Sequence, residues 1–191
     1  MAGYSRHNSL VFVLRHGQIN TPLRKTYIGI TDVPLDAVGI AQADYWQQAF
    51  ESINFDTIYS SPLRRCRDTA GIIGSSRKVV VKGQLSEINL GEWENRELEY
   101  VKQYYPERFN ARGRHPATVA PPGGETFQNV HDRIMPFFKR LSESDHRALV
   151  VTHAGVIRVL ICRFTNLGLD RIFNIPLSYG ELLIFKKEHL V

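Results

Sequence analysis

Two segments of the chain combine a buried-strand pattern with a histidine at its end. They are "VFVLRHG" at 11–17 and "LVVTHAG" at 149–155. In each, a run of apolar residues typical of a strand buried on both faces is followed by a histidine, His16 or His153, and then by a glycine. Ligands of open α/β sheets bind at the carboxyl ends of the strands. We therefore expect the two histidines to face each other across one pocket.

A structural interpretation competes with this one. A single histidine at the end of a strand is more often hydrogen-bonded than functional. The repetition of the pattern, together with Arg15 beside His16, favours a binding site in this chain.

The rest of the sequence alternates strand and helix patterns, which predicts an α/β fold. We expect the helix over 61–74 to be N-capped by Ser61, and the helix over 126–141 to be kinked or broken at Pro136. The region from Leu85 to Gly124 is otherwise irregular, with one short helix before Pro106. The remaining expected elements are strands at 55–60, 78–81, 147–152 and 181–185, and helices at 36–52, 98–105 and 155–167.

Length and composition favour one ordinary globular domain. The chain has 191 residues, of which 43% are hydrophobic, and this suits a single domain over 1–191 with a core at about 9–186. No apolar run approaches the about 20 residues of a membrane span, and the first residues are too polar for a secretory signal. Two cysteines, Cys66 and Cys162, indicate no disulfide framework. We expect a cytoplasmic protein that does not bind membranes.

The positive charge does not by itself identify a partner. The formal net charge is +5, which suits nucleic acid, anionic surfaces and small anions alike. The basic residues are mostly scattered and are not interleaved with aromatic residues as in a nucleic-acid stacking platform. We therefore expect a small anionic ligand and no nucleic acid.

Five motifs together resemble one family. "LRHGQ", "SSPLRRCRDTA", "LSEINLGEWE", "PPGGET" and "VVTHAGVIR" occur in the order found in the histidine phosphatase superfamily, also called phosphoglycerate mutase-like, and the match runs from about Val11 to Phe185. The resemblance implies a three-layer, Rossmann-like α/β sandwich with a mostly parallel sheet and helices on both faces. It also implies a phosphoryl-enzyme intermediate on the first histidine.

The resemblance assigns His16 as the nucleophile and Arg15 and Arg65 as phosphate-binding residues. A neutral imidazole nitrogen can attack phosphorus, and nearby guanidinium groups lower the pKa of a histidine by repulsion. The same arginines would pair with phosphate oxygens through their planar fork. We expect Arg64 and Arg67, by contrast, to be solvated.

Three further residues complete the expected catalytic and phosphate-binding set. His153 would bind the phosphoryl group and donate to it as charge shifts in the transition state. Glu87 would protonate the leaving oxygen and then activate water, and Gln18 would contact the phosphate. Only the family pattern selects Glu87 as the general acid. The residues alone do not distinguish it from Glu92, Glu94 or Glu97, and they favour a solvated loop glutamate at this position.

Two loops around these motifs are expected to lie at the rim of the site. The family pattern after the first histidine places Thr at 19 and Asn at 22, whereas this chain has Ile19 and Pro22. We expect Asn20 to substitute for the missing asparagine in contacting substrate. The resemblance puts the "PPGGET" loop, with Glu125, at the rim of the site, although the same residues fit a plain turn before a helix.

Three functions are compatible with this set. The first is a phosphomonoesterase that needs no metal or other cofactor and acts on a small phosphorylated metabolite, and the loops most resemble α-ribazole phosphatases. The second is a phosphoglycerate mutase, although mutases of the family generally carry a longer insertion and a C-terminal tail. The third is a catalytically silent binding module. The presence of all the expected catalytic residues together argues against it. We expect a monomer or a homodimer.

Overall fold

The computed structural model describes residues 10–20, 24–144 and 146–186, together with the backbone of 189–190. Pro22 lies outside the described residues. The chain forms six strands and six helices within this range. They are, in chain order, β1 (Val11–Arg15), α1 (Ala37–Ala49), β2 (Thr57–Ser60), α2 (Arg64–Gly74), β3 (Val79–Val81), α3 (Leu98–Tyr104), α4 (Pro106–Arg114), α5 (Phe127–Glu143), β4 (Ala148–Thr152), α6 (Ala154–Phe164), β5 (Leu182–Lys186) and β6 (His189–Leu190).

The strands form one mixed sheet in the order β3-β2-β4-β1-β5-β6. β3, β2, β4 and β1 are parallel to one another, and β5 and β6 join as antiparallel strands. The two strands that carry the histidines are direct neighbours, with Arg15 opposite Thr152. Their carboxyl ends therefore open at the same point of the sheet.

Helices cover both faces of the sheet, as expected. Along β1 the side chains alternate, so Val11 and Val13 pack into one hydrophobic cluster with residues of α5 and α6. Phe12 and Leu14 pack into a second cluster with residues of α1 and α2. The predicted three-layer α/β sandwich is confirmed. Among the residues described, no helix is long and apolar enough to cross a membrane.

Two local predictions are wrong. Ser61 does not cap α2, which begins at Arg64, and the first amide of the helix instead donates to the Asp32 carboxylate at 2.6 Å. The segment after Pro106 is not irregular, because Pro106 begins α4, where its missing N–H costs nothing. α5 continues through Pro136, which lies on its exposed face, where water can reach the carbonyl left without a donor, and a kink there stays a prediction.

Candidate active site

His16 follows β1 directly, and a hydrogen bond fixes one of its ring nitrogens. Only 3% of the residue is exposed, and its Nδ1 lies 2.7 Å from the carbonyl oxygen of Gly17. Since a carbonyl only accepts, Nδ1 carries the proton in this bond. The lone pair of a neutral His16 is then on Nε2, the nitrogen available to attack a phosphoryl group.

The surroundings of His16 favour its neutral form. Burial lowers the pKa of His16 well below its usual value, and the positive charges of Arg65 and Arg15 act in the same direction. Burial therefore contributes more than the arginine repulsion expected from the sequence. The result is a neutral imidazole beside two cations, a combination suited to a nucleophile for a phosphate dianion.

His153 lies at the end of β4 and faces His16 as expected. The two ring centroids are 5.2 Å apart, and His153 is fully buried. Burial lowers its pKa, with further lowering from His16 and Arg65. Its Nε2 lies 2.7 Å from Ser61 Oγ, which explains why Ser61 is buried at this position instead of capping α2.

Arg65 is fixed on three sides. Its Nε donates to Nδ1 of His153 at 3.3 Å, and its two terminal nitrogens donate to the carbonyl oxygens of Thr31 and Gly29 at 2.7 and 2.6 Å. Only 1% of the residue is exposed, whereas Arg64 and Arg67 are exposed as predicted. Arg65 thus presents a preorganised positive charge beside His153, and its charge also acts on His16.

Arg15 is oriented by the loop that precedes β5. Its Nη1 donates to the carbonyl oxygen of Leu177 at 2.6 Å, and its guanidinium carbon lies 3.8 Å from the ring centroid of Tyr179. The Tyr179 ring also lies 5.5 Å from the His16 ring. Among the residues described, Arg15 Nε is buried without a hydrogen-bond partner. Tyr179 therefore packs against both His16 and the Arg15 guanidinium.

Glu87 belongs to the same cluster, although no regular element carries it. Its residue is 9% exposed, and its two carboxylate oxygens accept from the backbone N–H of Gly155 at 3.1 and 3.2 Å. Gly155 lies in the first turn of α6, so the Glu87 carboxyl group is held at the N-terminus of this helix. The structure thus places Glu87 beside the segment that follows His153.

The Glu125 carboxylate is hydrogen-bonded within the protein and does not project freely at the rim of the site. Its two carboxylate oxygens accept from Arg133 at 2.9 and 3.2 Å, and one of them also accepts from the backbone N–H of Asn89 at 2.9 Å. Arg133 in turn donates to the carbonyl oxygens of Gln84 and Glu87 at 2.6 and 3.1 Å. This arrangement supports the backbone on both sides of Glu87, so its geometry fits a positioning residue better than the expected substrate contact.

Gln18 and Asn20 differ in how they are held. The Gln18 side-chain amide donates to Asp36 at 3.0 Å, and the same aspartate caps α1 through Gly39 N–H at 2.8 Å. Gln18 thereby fixes the loop after His16 to α1, and its contact with phosphate stays a prediction. Asn20 is exposed, and its contact with substrate also stays a prediction.

Two glycines allow this loop and α1 to come together. A Cβ on Gly17 would lie 2.3 Å from the carbonyl oxygen of Gly39, and a Cβ on Gly39 would lie 2.0 Å from that of Gln18. No side chain fits at either position without moving backbone. Gly17 of the "RHG" motif is therefore required, because the backbone of α1 lies too close for a Cβ at this position.

Sequence reasoning missed Tyr179 and Arg133. Tyr179 follows no motif and reaches the site from the far end of the chain. Arg133 lies on the expected helix, but nothing in its spacing indicates contact with the loop of Glu87. In the described part of the chain, no group of three or more histidine, cysteine, aspartate or glutamate residues could hold a metal ion.

Comparison with known proteins places the chain in a family. A model of the histidine phosphatase superfamily (branch 1) matches residues 11–189. The adenosylcobalamin/alpha-ribazole phosphatase of Escherichia coli (strain K12) is 30% identical over 174 residues, covering 89% of this chain and 86% of that protein. A 2,3-bisphosphoglycerate-dependent phosphoglycerate mutase of Cytophaga hutchinsonii is 26% identical, covering 93% and 87%.

Solved structures give the same result. The crystal structure of the alpha-ribazole phosphatase from Shigella flexneri has a TM-score of 0.83 at 26% identity, covering 95% of this chain and 93% of that one. A mycobacterial glucosyl-3-phosphoglycerate phosphatase has a TM-score of 0.81 at 26% identity, covering 92% and 89%. The resemblance found in the motifs is confirmed: the chain belongs to the histidine phosphatase superfamily.

Proposed function

We propose that this protein is a metal-independent phosphomonoesterase that transfers the phosphoryl group of a small phosphorylated metabolite first to His16 and then to water. One observation carries the proposal. His16 is buried and neutral, with Nδ1–H bound to Gly17 and Nε2 unprotonated, beside the guanidinium groups of Arg15 and Arg65. This combination supplies both a nucleophile and a binding site for the phosphate dianion.

In the first step, Nε2 of His16 attacks phosphorus while the ester oxygen leaves on the opposite side. Glu87 gives a proton to this oxygen, so the product departs as an alcohol. The proton on His153 must lie on Nε2, because its Nδ1 accepts from Arg65. This Nε2–H lies 2.7 Å from Ser61 Oγ in the structure, so donation to a phosphoryl oxygen requires that the phosphoryl oxygen replace Ser61 Oγ as the acceptor.

In the second step, water attacks the phosphohistidine. Glu87, now a carboxylate, removes a proton from this water, and His16 leaves as a neutral imidazole. Inorganic phosphate is released, and the carboxyl group of Glu87 is protonated again. Each residue returns to its starting state, so the cycle needs no external proton carrier.

The proposed substrate is α-ribazole 5′-phosphate or a metabolite of similar size. This part rests on the E. coli relative and the Shigella flexneri structure, both named alpha-ribazole phosphatases. We propose action in the cytoplasm, as a monomer or homodimer, without nucleic-acid or membrane partners. Size-exclusion chromatography with light scattering tests the oligomeric state.

A phosphoglycerate mutase is the second candidate. It is supported by the match to the Cytophaga hutchinsonii mutase, which covers 93% of this chain. The same His16 would then pass the phosphoryl group to another hydroxyl of the substrate instead of to water. The two candidates differ in product, namely free phosphate or an isomeric phosphate ester.

A single assay tests the proposal. Phosphate release and ester isomerisation are measured with α-ribazole 5′-phosphate and 3-phosphoglycerate, with and without EDTA. We expect phosphate release that persists in EDTA and is lost in His16→Ala but kept in His115→Ala, an exposed control. Isomerisation without phosphate release would identify a mutase, and loss of activity in EDTA would contradict the mechanism.

A further inference from the structure

The carbonyl group that accepts from His16 belongs to a peptide whose other edge is also hydrogen-bonded. This is the peptide between Gly17 and Gln18. Its C=O accepts from His16 Nδ1 at 2.7 Å, and its N–H donates to the side-chain oxygen of Gln42 at 2.8 Å. Because a trans peptide is planar, its C=O and N–H point in opposite directions, and rotation of the plane would weaken both bonds. One side chain of α1 therefore holds the peptide that holds the nucleophile.

The side chain of Gln42 is itself restrained. A backbone N–H only donates, so the Gln42 atom that meets the Gln18 N–H must be the carbonyl oxygen Oε1. Gln42 is half-buried, and its side-chain carbons lie against Gly180. A Cβ on this glycine would be 3.5 to 3.7 Å from three of these carbons. The acceptor is thus presented to the peptide by a packed side chain.

The preceding peptide, between His16 and Gly17, is held by other groups. The N–H of Gly17 donates to Thr69 Oγ1 at 3.1 Å, and the carbonyl oxygen of His16 accepts from the N–H of Gly180 at 3.2 Å. These bonds fix the backbone on the strand side of Gly17. The hydrogen bond from Gln42 acts on the next peptide, the one whose oxygen contacts the imidazole.

The Gly17 carbonyl determines which nitrogen of His16 carries the proton. A neutral imidazole has one N–H, and a carbonyl oxygen can only accept, so the contact stabilises the form with hydrogen on Nδ1. The alternative form has hydrogen on Nε2 and therefore no lone pair there to attack phosphorus. It would also direct the Nδ1 lone pair at the Gly17 oxygen, which is repulsive. A peptide kept in place thus keeps His16 in its reactive form.

The same arrangement also polarises the peptide. Donation from the Gln18 N–H to Gln42 increases the electron density on the Gly17 oxygen, and hydrogen bonds in such a chain strengthen one another. The chain runs from Gln42 Oε1 through one peptide to the Nδ1–H of His16. Since His16 is only 3% exposed, water competes little for these groups. A stronger acceptor at Nδ1–H makes Nε2 a better nucleophile.

We infer that Gln42 is a positioning residue for the nucleophile, which holds the Gly17–Gln18 peptide so that His16 keeps hydrogen on Nδ1 and a lone pair on Nε2. Gln42 acts through the peptide, because its hydrogen bond is with a backbone N–H and not with the imidazole. Its effect on rate rests on the proposed phosphatase reaction. Its effect on the tautomer is a property of the free protein.

Nitrogen NMR of the free protein, with isotope-labelled histidine, tests the tautomer at mildly alkaline pH. Protonated and unprotonated imidazole nitrogens have widely different shifts, and we expect Nδ1 to be the protonated nitrogen of wild-type His16. Gln42→Met keeps the length of the side chain but lacks the acceptor, so a measurable fraction of the Nε2–H form should appear. Gln47→Met is the matched control, because Gln47 lies in the same helix but donates to the carbonyl oxygen of Ile72 at 2.7 Å.

Kinetics test whether this positioning serves the reaction. Gln42→Met should lower kcat/KM for phosphate release by about tenfold, as expected when one hydrogen bond that orients a reacting group is lost. The Ki for inorganic phosphate should stay unchanged, because the arginines that bind phosphate do not depend on this peptide. Gln42→Glu, whose carboxylate also accepts from the Gln18 N–H, should restore the wild-type tautomer and most of the lost rate. Gln47→Met should retain wild-type kcat/KM.

The outcomes separate the positioning role from the proposed function. A wild-type tautomer and wild-type kcat/KM in Gln42→Met would overturn the role, and so would equal losses of kcat/KM in Gln42→Met and Gln42→Glu. A lower Tm and a weaker phosphate Ki with an unchanged tautomer would also overturn it, because Gln42 would then only stabilise the fold. No phosphate release from any ester by the wild-type protein would overturn the proposed function, while NMR would still decide the tautomer.

A second variant covers the case in which Gln42→Met does not fold. Gln42→Asn keeps a polar amide but shortens the side chain, which withdraws the acceptor from the Gln18 N–H. It should show the same appearance of the Nε2–H form of His16. An unchanged tautomer in Gln42→Asn would contradict the inference.

Discussion

Gly155 and Glu87 are in direct contact. The backbone N–H of Gly155 donates to both oxygens of the Glu87 carboxylate, and a Cβ at Gly155 would lie 2.3 Å from Glu87 Oε1. Gly155, two residues after His153, therefore leaves room for the Glu87 carboxyl group at the N-terminus of α6.

Gly155→Ala should therefore impair catalysis by displacing Glu87. We expect kcat/KM to fall by about 10-fold to 100-fold, the scale found for a misplaced catalytic group. Gly71→Ala is the control, since a Cβ there meets nothing within 4 Å. Equal activity in the two variants, measured by phosphate release, would mean that Glu87 does not need its observed position.

Glu87→Gln should show an effect that depends on the leaving group. With an alkyl phosphate ester we expect a loss of about 100-fold, because the alkoxide then departs without a proton donor. With 4-nitrophenyl phosphate, whose leaving group is a weak base, the loss should be much smaller. The same loss for both esters would assign the proton transfer to another group.

Arg65→Lys should lower kcat/KM by about 100-fold, the cost of removing one donor to a developing charge. Lysine cannot bind the Gly29 and Thr31 carbonyl oxygens and His153 at once, as the planar guanidinium does. Arg64→Lys is a matched control, because Arg64 is exposed and pairs with Asp68 on the same helix. Activities within twofold of each other would show that a positive charge alone suffices at position 65.

Stability should fall in mild acid because two histidines are buried as neutral groups. In the folded protein the pKa values of His16 and His153 lie well below their usual value, mainly through burial. The unfolded chain then binds more protons below about pH 6.5, so the free energy of unfolding decreases as pH falls from there. Each histidine contributes up to about 1.4 kcal/mol per pH unit.

Thermal unfolding between pH 7 and 5 measures this effect. The decrease in Tm should be shallower in His16→Asn than in the wild-type protein. His115→Asn, which alters an exposed histidine, should keep the wild-type slope. Identical slopes in all three proteins would contradict the burial of His16 as a neutral group.

The sequence predicts the centre of the site better than its surroundings. His16 and His153 could be placed because each follows a buried strand, and the carboxyl ends of parallel neighbours meet at one edge. Arg65 was separated from its two neighbours by the family pattern and is the buried one of the three. The positions of these residues can be predicted because they follow from local sequence patterns.

The glutamates show why the rest could not be predicted. Glu92 accepts from the Tyr105 hydroxyl, Glu94 binds loop 29–31, and Glu97 pairs with Arg24. The three are close in sequence and alike in chemistry, and only the tertiary fold gives them different partners. The same holds for Tyr179, whose contact with His16 joins distant parts of the chain.

The effect of the two prolines on the helices also depends on the tertiary fold. Pro106 suits both the end of one helix and the first position of the next, and the second applies here. Pro136 removes one hydrogen bond from α5, but its exposed position lets water replace it, and packing of the opposite face maintains the helix. Neither outcome is contained in the local sequence.

The central claim is that phosphate passes through His16, and trapping this intermediate tests it most directly. The enzyme is mixed with a phosphate ester and denatured at alkaline pH, where phosphohistidine is stable, and the labelled peptide is sequenced by mass spectrometry. We predict phosphate on His16, lost on acid treatment and absent in His16→Ala. Acid-stable phosphate on a serine, such as the neighbouring Ser61, would contradict the account.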